Sequence, residues 1–94
     1  MVKIVVIGSA SMDLTVLAKR RPNAGETIFG ERLILAPGGK GANQAVAAAR
    51  LGAEVHLVAC LGEDTYGAEL MHNFAVNSVN CDYVVKLADQ STGS

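Results

Sequence analysis

The run Gly38-Gly39-Lys40-Gly41-Ala42-Asn43-Gln44-Ala45 joins a tight glycine turn to the first turn of an Ala-rich helix. Glycine lets the backbone approach a ligand closely, and the turn's free amides face outward together with the positive end of the helix dipole. Lys40 adds a full charge there, and Asn43 adds both a donor and an acceptor. Upstream, Asp13 lies just past an apolar run, where a carboxylate can accept two hydroxyl hydrogens from a polyol. Each residue alone has a plainer role: Asp13 as a turn stabiliser, Asn43 as a capping or surface residue, Lys40 as a solvated charge, the corner as a structural turn. Their occurrence together suits a hydroxyl-rich or anionic small molecule.

Two better-known phosphate loops are excluded. A Walker A loop needs Gly-Lys followed by Ser or Thr, and Lys40 is followed by Gly41. A dinucleotide fingerprint needs a third glycine, which Gly39-x-Gly41 lacks, and the first apolar run leads into Ser9-Ala10-Ser11 instead. Cys60 and Cys81 have no Cys-x-x-Cys spacing, and neither His56 nor His72 has a second ligand at metal spacing. The cysteines read as buried or idle thiols and both histidines as structural.

The elements that must position the corner follow from hydropathy. Val2 to Ile7 is a short β-branched run stopped by Gly8, which fits a strand buried on both faces of a parallel sheet. Asp13 to Leu17 and Thr27 to Leu35 resemble two strands flanking a loop at Arg21-Pro22-Asn23-Ala24-Gly25. Lys40 to Leu51 is built of good helix formers and Gly52 supplies a stop. Its small side chains allow close packing on a sheet. Glu54 to Cys60 reads as the next strand. Asp64 is a candidate N-cap for a second helix with Tyr66, Leu70 and Phe74 on one face, ending near Asn77 or Asn80, and Asp82 to Leu87 reads as a last strand. This alternation is that of a doubly wound α/β sheet, in which ligands bind beyond the C-terminal strand ends. The stretch after the first strand (Ser9 to Asp13) and the helix start (Gly38 to Asn43) are expected to meet there.

Bulk properties narrow the partners. With a net charge of −1, 18% charged and 4% aromatic residues, the 94-residue chain has no basic stripe with stacking rings, so nucleic acid is not expected. The opening apolar run is far shorter than the ~20 residues a membrane helix needs, and it lacks the parts of a signal peptide, so neither a membrane nor secretion is expected and the chain reads as cytoplasmic. Half of the residues are apolar, with a mean hydropathy of +0.29, and the end Gln90-Ser91-Thr92-Gly93-Ser94 is polar and turn-like. That composition suits a piece of a larger core.

The stretch Gly38 to Ala45, then Gly52 and Gly62, resembles the first signature of the ribokinase (PfkB) family of carbohydrate kinases. Val5-Val6-Ile7-Gly8-Ser9 followed by Asp13, Gly25-Glu26-Thr27, Gly62-Glu63-Asp64 with Gly67, and Ser91-Thr92-Gly93 also fall where that family has similar residues. The resemblance implies an α/β fold, a parallel sheet flanked by helices with half of a small β lid. Residues 1–12 would form the core strand, 13–37 the lid segment and 38–94 the βα core. It further implies transfer of a phosphoryl group from MgATP to the primary 5-hydroxyl of ribose, giving ribose 5-phosphate and ADP.

By the same resemblance, Asp13 binds sugar hydroxyls from one side, while Gly38, Gly39, Lys40, Gly41 and Asn43 hold the sugar from the other. The lid closes over the sugar and pairs with a second subunit. Where many members carry an Asn two residues before that Asp, this chain has Ser11, which reaches a hydroxyl less far. The family's catalytic Asp and anion hole, its ATP pocket and its metal-associated acidic motif all lie downstream of Ser94. No catalytic or metal-binding residue is therefore assigned here, and these residues alone are expected to be inactive. Competing readings are a fructokinase or nucleoside kinase of the same family, a non-catalytic sugar-binding or dimerisation module, and an inert fragment that self-associates through its strand edges.

Overall fold

The computed structural model describes residues 2–94. The chain runs β1 (Lys3–Ile7), β2 (Ser11–Leu17), β3 (Arg32–Gly38), α1 (Lys40–Arg50), β4 (Glu54–Gly62), α2 (Thr65–Val76) and β5 (Val79–Leu87). β1, β4 and β5 form a parallel sheet in that order, and β2 and β3 form a separate antiparallel hairpin. The fold is thus α/β, with a parallel sheet, helices and a small β element, as expected.

Strands are added to the sheet in one direction, and crossovers of one hand then place successive helices on the same face. Val55, Leu57, Ala59 and Leu61 of β4 alternate onto that face and join Ala42 and Ala45 of α1 and Leu70 and Phe74 of α2 in one buried cluster. The opposite face is open. Val5 and Ile7 are 62% and 80% exposed there, so β1 is not buried on both faces as its hydropathy suggests. Cys60 alternates onto the same open face and is exposed, which removes the buried alternative from its reading as a buried or idle thiol, whereas Cys81 is half-buried. His56 shares that face, half-buried, with its Nε2 3.1 Å from Glu54 Oε2. His72 is exposed on α2.

Helix α1 begins at Lys40 and ends where Gly52 adopts a left-handed φ of 96°. Its small residues Gly41, Ala42 and Ala45 are the buried ones. Helix α2 has the expected N-cap: Asp64 accepts a 2.8 Å hydrogen bond from the Gly67 amide. Leu70 and Phe74 are buried on its inner face, and the helix stops at Asn77, whose side chain bonds back to the Asn73 carbonyl.

Several strand boundaries differ from the hydropathy reading, β4 among them, which runs on past Cys60 to Gly62. The second hairpin strand is Arg32–Gly38 rather than Thr27 to Leu35, because pairing runs from Ser11↔Gly38 to Leu17↔Arg32 and leaves 27–31 in the loop. For the same reason the first hairpin strand starts at Ser11, two residues before Asp13. β5 begins at Val79, not Asp82: Val79 and Asn80 pair with Val55 and His56 before an irregularity shifts the register. The polar stretch 90–94 is no loose turn either, since Thr92 is buried and Gly93 bridges to Ser11.

Candidate functional site

The expected meeting of the first strand's end with the α1 start is present. Gly8 continues the ladder by donating to the Val58 carbonyl at 3.1 Å, and the next carbonyl, that of Ser9, accepts from the Ala42 amide at 2.9 Å. The two backbones are in contact: a Cβ on Gly41 would stand 2.8 Å from Gly8 Cα, and one on Gly8 would stand 2.9 Å from Gly41 Cα. Gly39 has φ 97°, and a Cβ there would lie 2.7 Å from the Ser9 carbonyl oxygen. Gly8 is not among the residues that the sequence assigns to the site; it reads there only as the stop of the first apolar run and as part of the family-like stretch Val5 to Ser9.

Gly38 has a different neighbour. A Cβ at that position would fall on the carboxylate of Asp13, which reaches diagonally across the hairpin from its partner Ala36. The corner glycines therefore make room first for the protein itself. Gly39 and Gly41 admit the backbone of 8–10, and Gly38 admits the Asp13 side chain.

Asp13, Lys40 and Asn43 are all exposed, and among the described residues their side chains form no hydrogen bond or ion pair. Ser11 is half-buried at the base of β2, opposite Gly38. The start of α1 has no side-chain cap and no acid in its first turn, and of its first amides that of Ala42 is taken by the Ser9 carbonyl. Asp13 and Gly38 are thus brought together, with Lys40 two residues on. Asn43 sits one turn in and borders a groove of about 400 Å³ between α1 and α2, with Pro37, Arg50 and Asn73. Among the described residues there is no group of three or more His, Cys, Asp or Glu side chains able to hold a metal ion.

Electrostatics single out two other carboxylates. At the hairpin tip Glu26 takes a bidentate bond from Arg20, both contacts 2.7 Å, and a third from the Asn23 amide. The guanidinium first, and then that amide, lower its pKa to about 2. Arg20 and Glu26 border a groove of about 640 Å³ with Val16 and Ile28. Asp64 is held below the usual carboxylate value by the Thr92 hydroxyl, then by the amides of Thr92 and Gly67. Burial, with Asp82 nearby, pushes the Cys81 thiol up.

Known proteins resemble this chain in sequence and in fold. The chain is 50% identical over 91 residues to the ribokinase of Bacillus subtilis, covering 97% of this chain and 31% of that protein. With the ribokinase of Lactococcus lactis it shares 54% over 80 residues, which is 84% of this chain and 27% of that one. The crystal structure of ribokinase from Cryptococcus neoformans in complex with ADP superposes with a TM-score of 0.83 at 33% identity, over 98% of this chain and 29% of that one. The chain therefore spans about three-tenths of the length of the curated relatives it matches. Because the model of the pfkB family carbohydrate kinases matches residues 1–94 throughout, glycine corner and hairpin included, the chain belongs to that family.

Proposed function

We propose that these residues form the sugar-binding part of an ATP-dependent carbohydrate kinase acting on D-ribose, to give D-ribose 5-phosphate and ADP. The observation that carries the reading is the exposed, unpaired Asp13 carboxylate held against Gly38, beside a helix start that no side chain caps. In this reading Asp13 accepts hydrogen bonds from the sugar hydroxyls, the Asn43 amide donates to or accepts from another, Ser11 reaches one more, and Lys40 contributes charge at the acceptor site. Gly38, Gly39 and Gly41 supply the clearance that lets the carboxylate and the corner sit so close.

The hairpin of β2 and β3 acts as the lid. Closing it over the sugar excludes water, which otherwise competes as phosphoryl acceptor. Leu14, Val16, Leu33 and Leu35 alternate onto one face of the hairpin and are all exposed, an apolar surface suited to a second subunit in a homodimer. The names of the two bacterial relatives support ribose as the acceptor, and the ADP in the neighbour's structure supports a nucleotide donor. MgATP supplies the phosphoryl group. The chain spans about three-tenths of the length of its curated relatives, and by the family resemblance the metal's ligands and the catalytic base are assigned to residues outside 1–94, which alone are inactive. Among the described residues no helix is long and apolar enough to cross a membrane. The enzyme works in the cytoplasm, on a small molecule and not on nucleic acid.

Calorimetric titration with ribose tests the assignment. Asp13→Ala is expected to cost ~1–3 kcal/mol of ribose binding in the complete enzyme, through loss of charge-assisted hydrogen bonds. An unchanged affinity would remove Asp13 from the site, and a strong preference for fructose or a nucleoside in a substrate panel would overturn ribose. Ribose-dependent ADP release by residues 1–94 alone would show that the phosphoryl-transfer groups are not elsewhere.

A further inference from the structure

A second polar cluster lies where β4 passes into α2, away from the glycine corner. The Asp64 carboxylate accepts three hydrogen bonds: from the Gly67 amide at 2.8 Å, from the Thr92 amide at 2.8 Å and from the Thr92 hydroxyl at 2.6 Å. That hydroxyl oxygen in turn accepts from the Gly62 amide at 3.0 Å. Thr92 is 6% exposed, and the two glycines leave it no slack, since a Cβ on Gly62 would stand 2.6 Å from the Thr92 amide nitrogen and one on Gly67 would strike the Gly62 carbonyl. N-capping alone would use only the Gly67 bond. The other two bonds grip a segment 28 residues downstream.

What that segment does next is the informative part. Gly93, the residue after Thr92, offers its carbonyl to the Met12 amide at 2.9 Å and bridges in parallel to Ser11. Met12 is 1% exposed and immediately precedes Asp13. At this point β2 leaves the core and becomes the free-standing hairpin, because beyond Met12 every residue of β2 is exposed.

We infer that Asp64 and Thr92 are positioning residues for Asp13: they fix the Gly93 carbonyl, which docks the Met12 amide and so sets the root of the hairpin and the place of the carboxylate at its base. The inference deepens the proposed sugar site and rests on that reading for its functional consequence. Neither residue touches sugar. Their effect is on the population of chains in which Asp13 is held ready over Gly38, and thus on sugar affinity rather than on the transfer step.

The test is made in the complete enzyme with Thr92→Val, Thr92→Ser and Asp64→Asn. Val matches the shape of Thr without the hydroxyl, Ser keeps the hydroxyl, and Asn keeps the acceptor for Gly67 while losing one for Thr92. Amide hydrogen exchange at Met12, exchange along β4 and the steady-state constants for ribose are read together. Thr92→Val and Asp64→Asn are expected to speed Met12 exchange and raise the ribose KM by about tenfold, as for one lost hydrogen bond to a charged group, with kcat little changed. Thr92→Ser is expected to restore both. An unchanged Met12 amide in Thr92→Val, or exchange along β4 rising equally, would overturn the positioning role. If Asp13→Ala leaves ribose affinity intact while Met12 exchange responds to Thr92→Val, the sugar-site reading fails and the hairpin anchor stands.

Discussion

The Asp13 carboxylate occupies the space where a side chain at Gly38 would begin. The two residues face each other across the hairpin, Asp13 paired with Ala36 and Gly38 with Ser11, and the carboxylate reaches diagonally over the glycine. Gly38 does not have a positive φ, so its requirement is for space alone.

Gly38→Ala is therefore expected to spare the backbone and displace the carboxylate. Ribose affinity in the complete enzyme should fall about tenfold, in line with one charge-assisted hydrogen bond, while the melting temperature stays near that of the parent. Titration calorimetry and a thermal melt check this, and undiminished affinity would contradict it.

Gly41→Ala should do the reverse. The contact it creates is with the Gly8 backbone, which has no rotamer with which to yield. A loss of about 1–3 kcal/mol is expected from overpacking, measurable as a lower urea midpoint. Gly25→Ala makes a useful control, since a Cβ there meets nothing within 4 Å and only the positive φ of 73° is strained.

Phe74 is fully buried between α2 and the sheet, among the largest side chains of the core. Phe74→Ala should cost about 3–5 kcal/mol, by lost transfer energy and the cavity left behind. In a small core that is a large part of total stability, so the variant is expected to be mostly unfolded at ordinary temperature by circular dichroism. A cooperative fold of near-parent stability would show that the core can collapse around the gap.

Asp64 gives the fold an acid limb. Its carboxyl titrates lower in the folded chain than the ordinary value of 3.8, because the Thr92 hydroxyl and amide and the Gly67 amide bond the charged form. A depressed folded value means stability that is complete above the unfolded pKa and is lost as pH falls through the folded one. Denaturant midpoints should accordingly fall below about pH 4. Asp64→Asn should be less stable at neutral pH and should flatten that limb. An equally steep limb in the variant would assign it to other carboxylates.

Much of this arrangement was legible in the sequence because it rests on local rules. The caps at Asp64 and Gly52 follow from backbone groups that only nearby residues can satisfy. The small residues Gly41, Ala42 and Ala45 announce a helix that packs closely, and the corner at 38–43 is a turn whose glycines are required one by one. The β4 pattern of Val55, Leu57, Ala59 and Leu61 marks a single buried face.

Only the tertiary structure decided relationships set by packing between distant segments. Hydropathy could not tell that Val5, Ile7 and Cys60 face away from both helices, because an apolar strand reads the same whether one face is covered or two. Nor could it place the second hairpin strand, whose register is set by pairing with Ser11–Leu17 and not by its own weak alternation. The grip of Asp64 on Thr92, and through Gly93 on Met12, joins residues 28 and 81 positions apart. No local propensity encodes such contacts. They exist because the end of β5 returns the chain to the mouth of β1, where the residues that could hold a sugar are gathered.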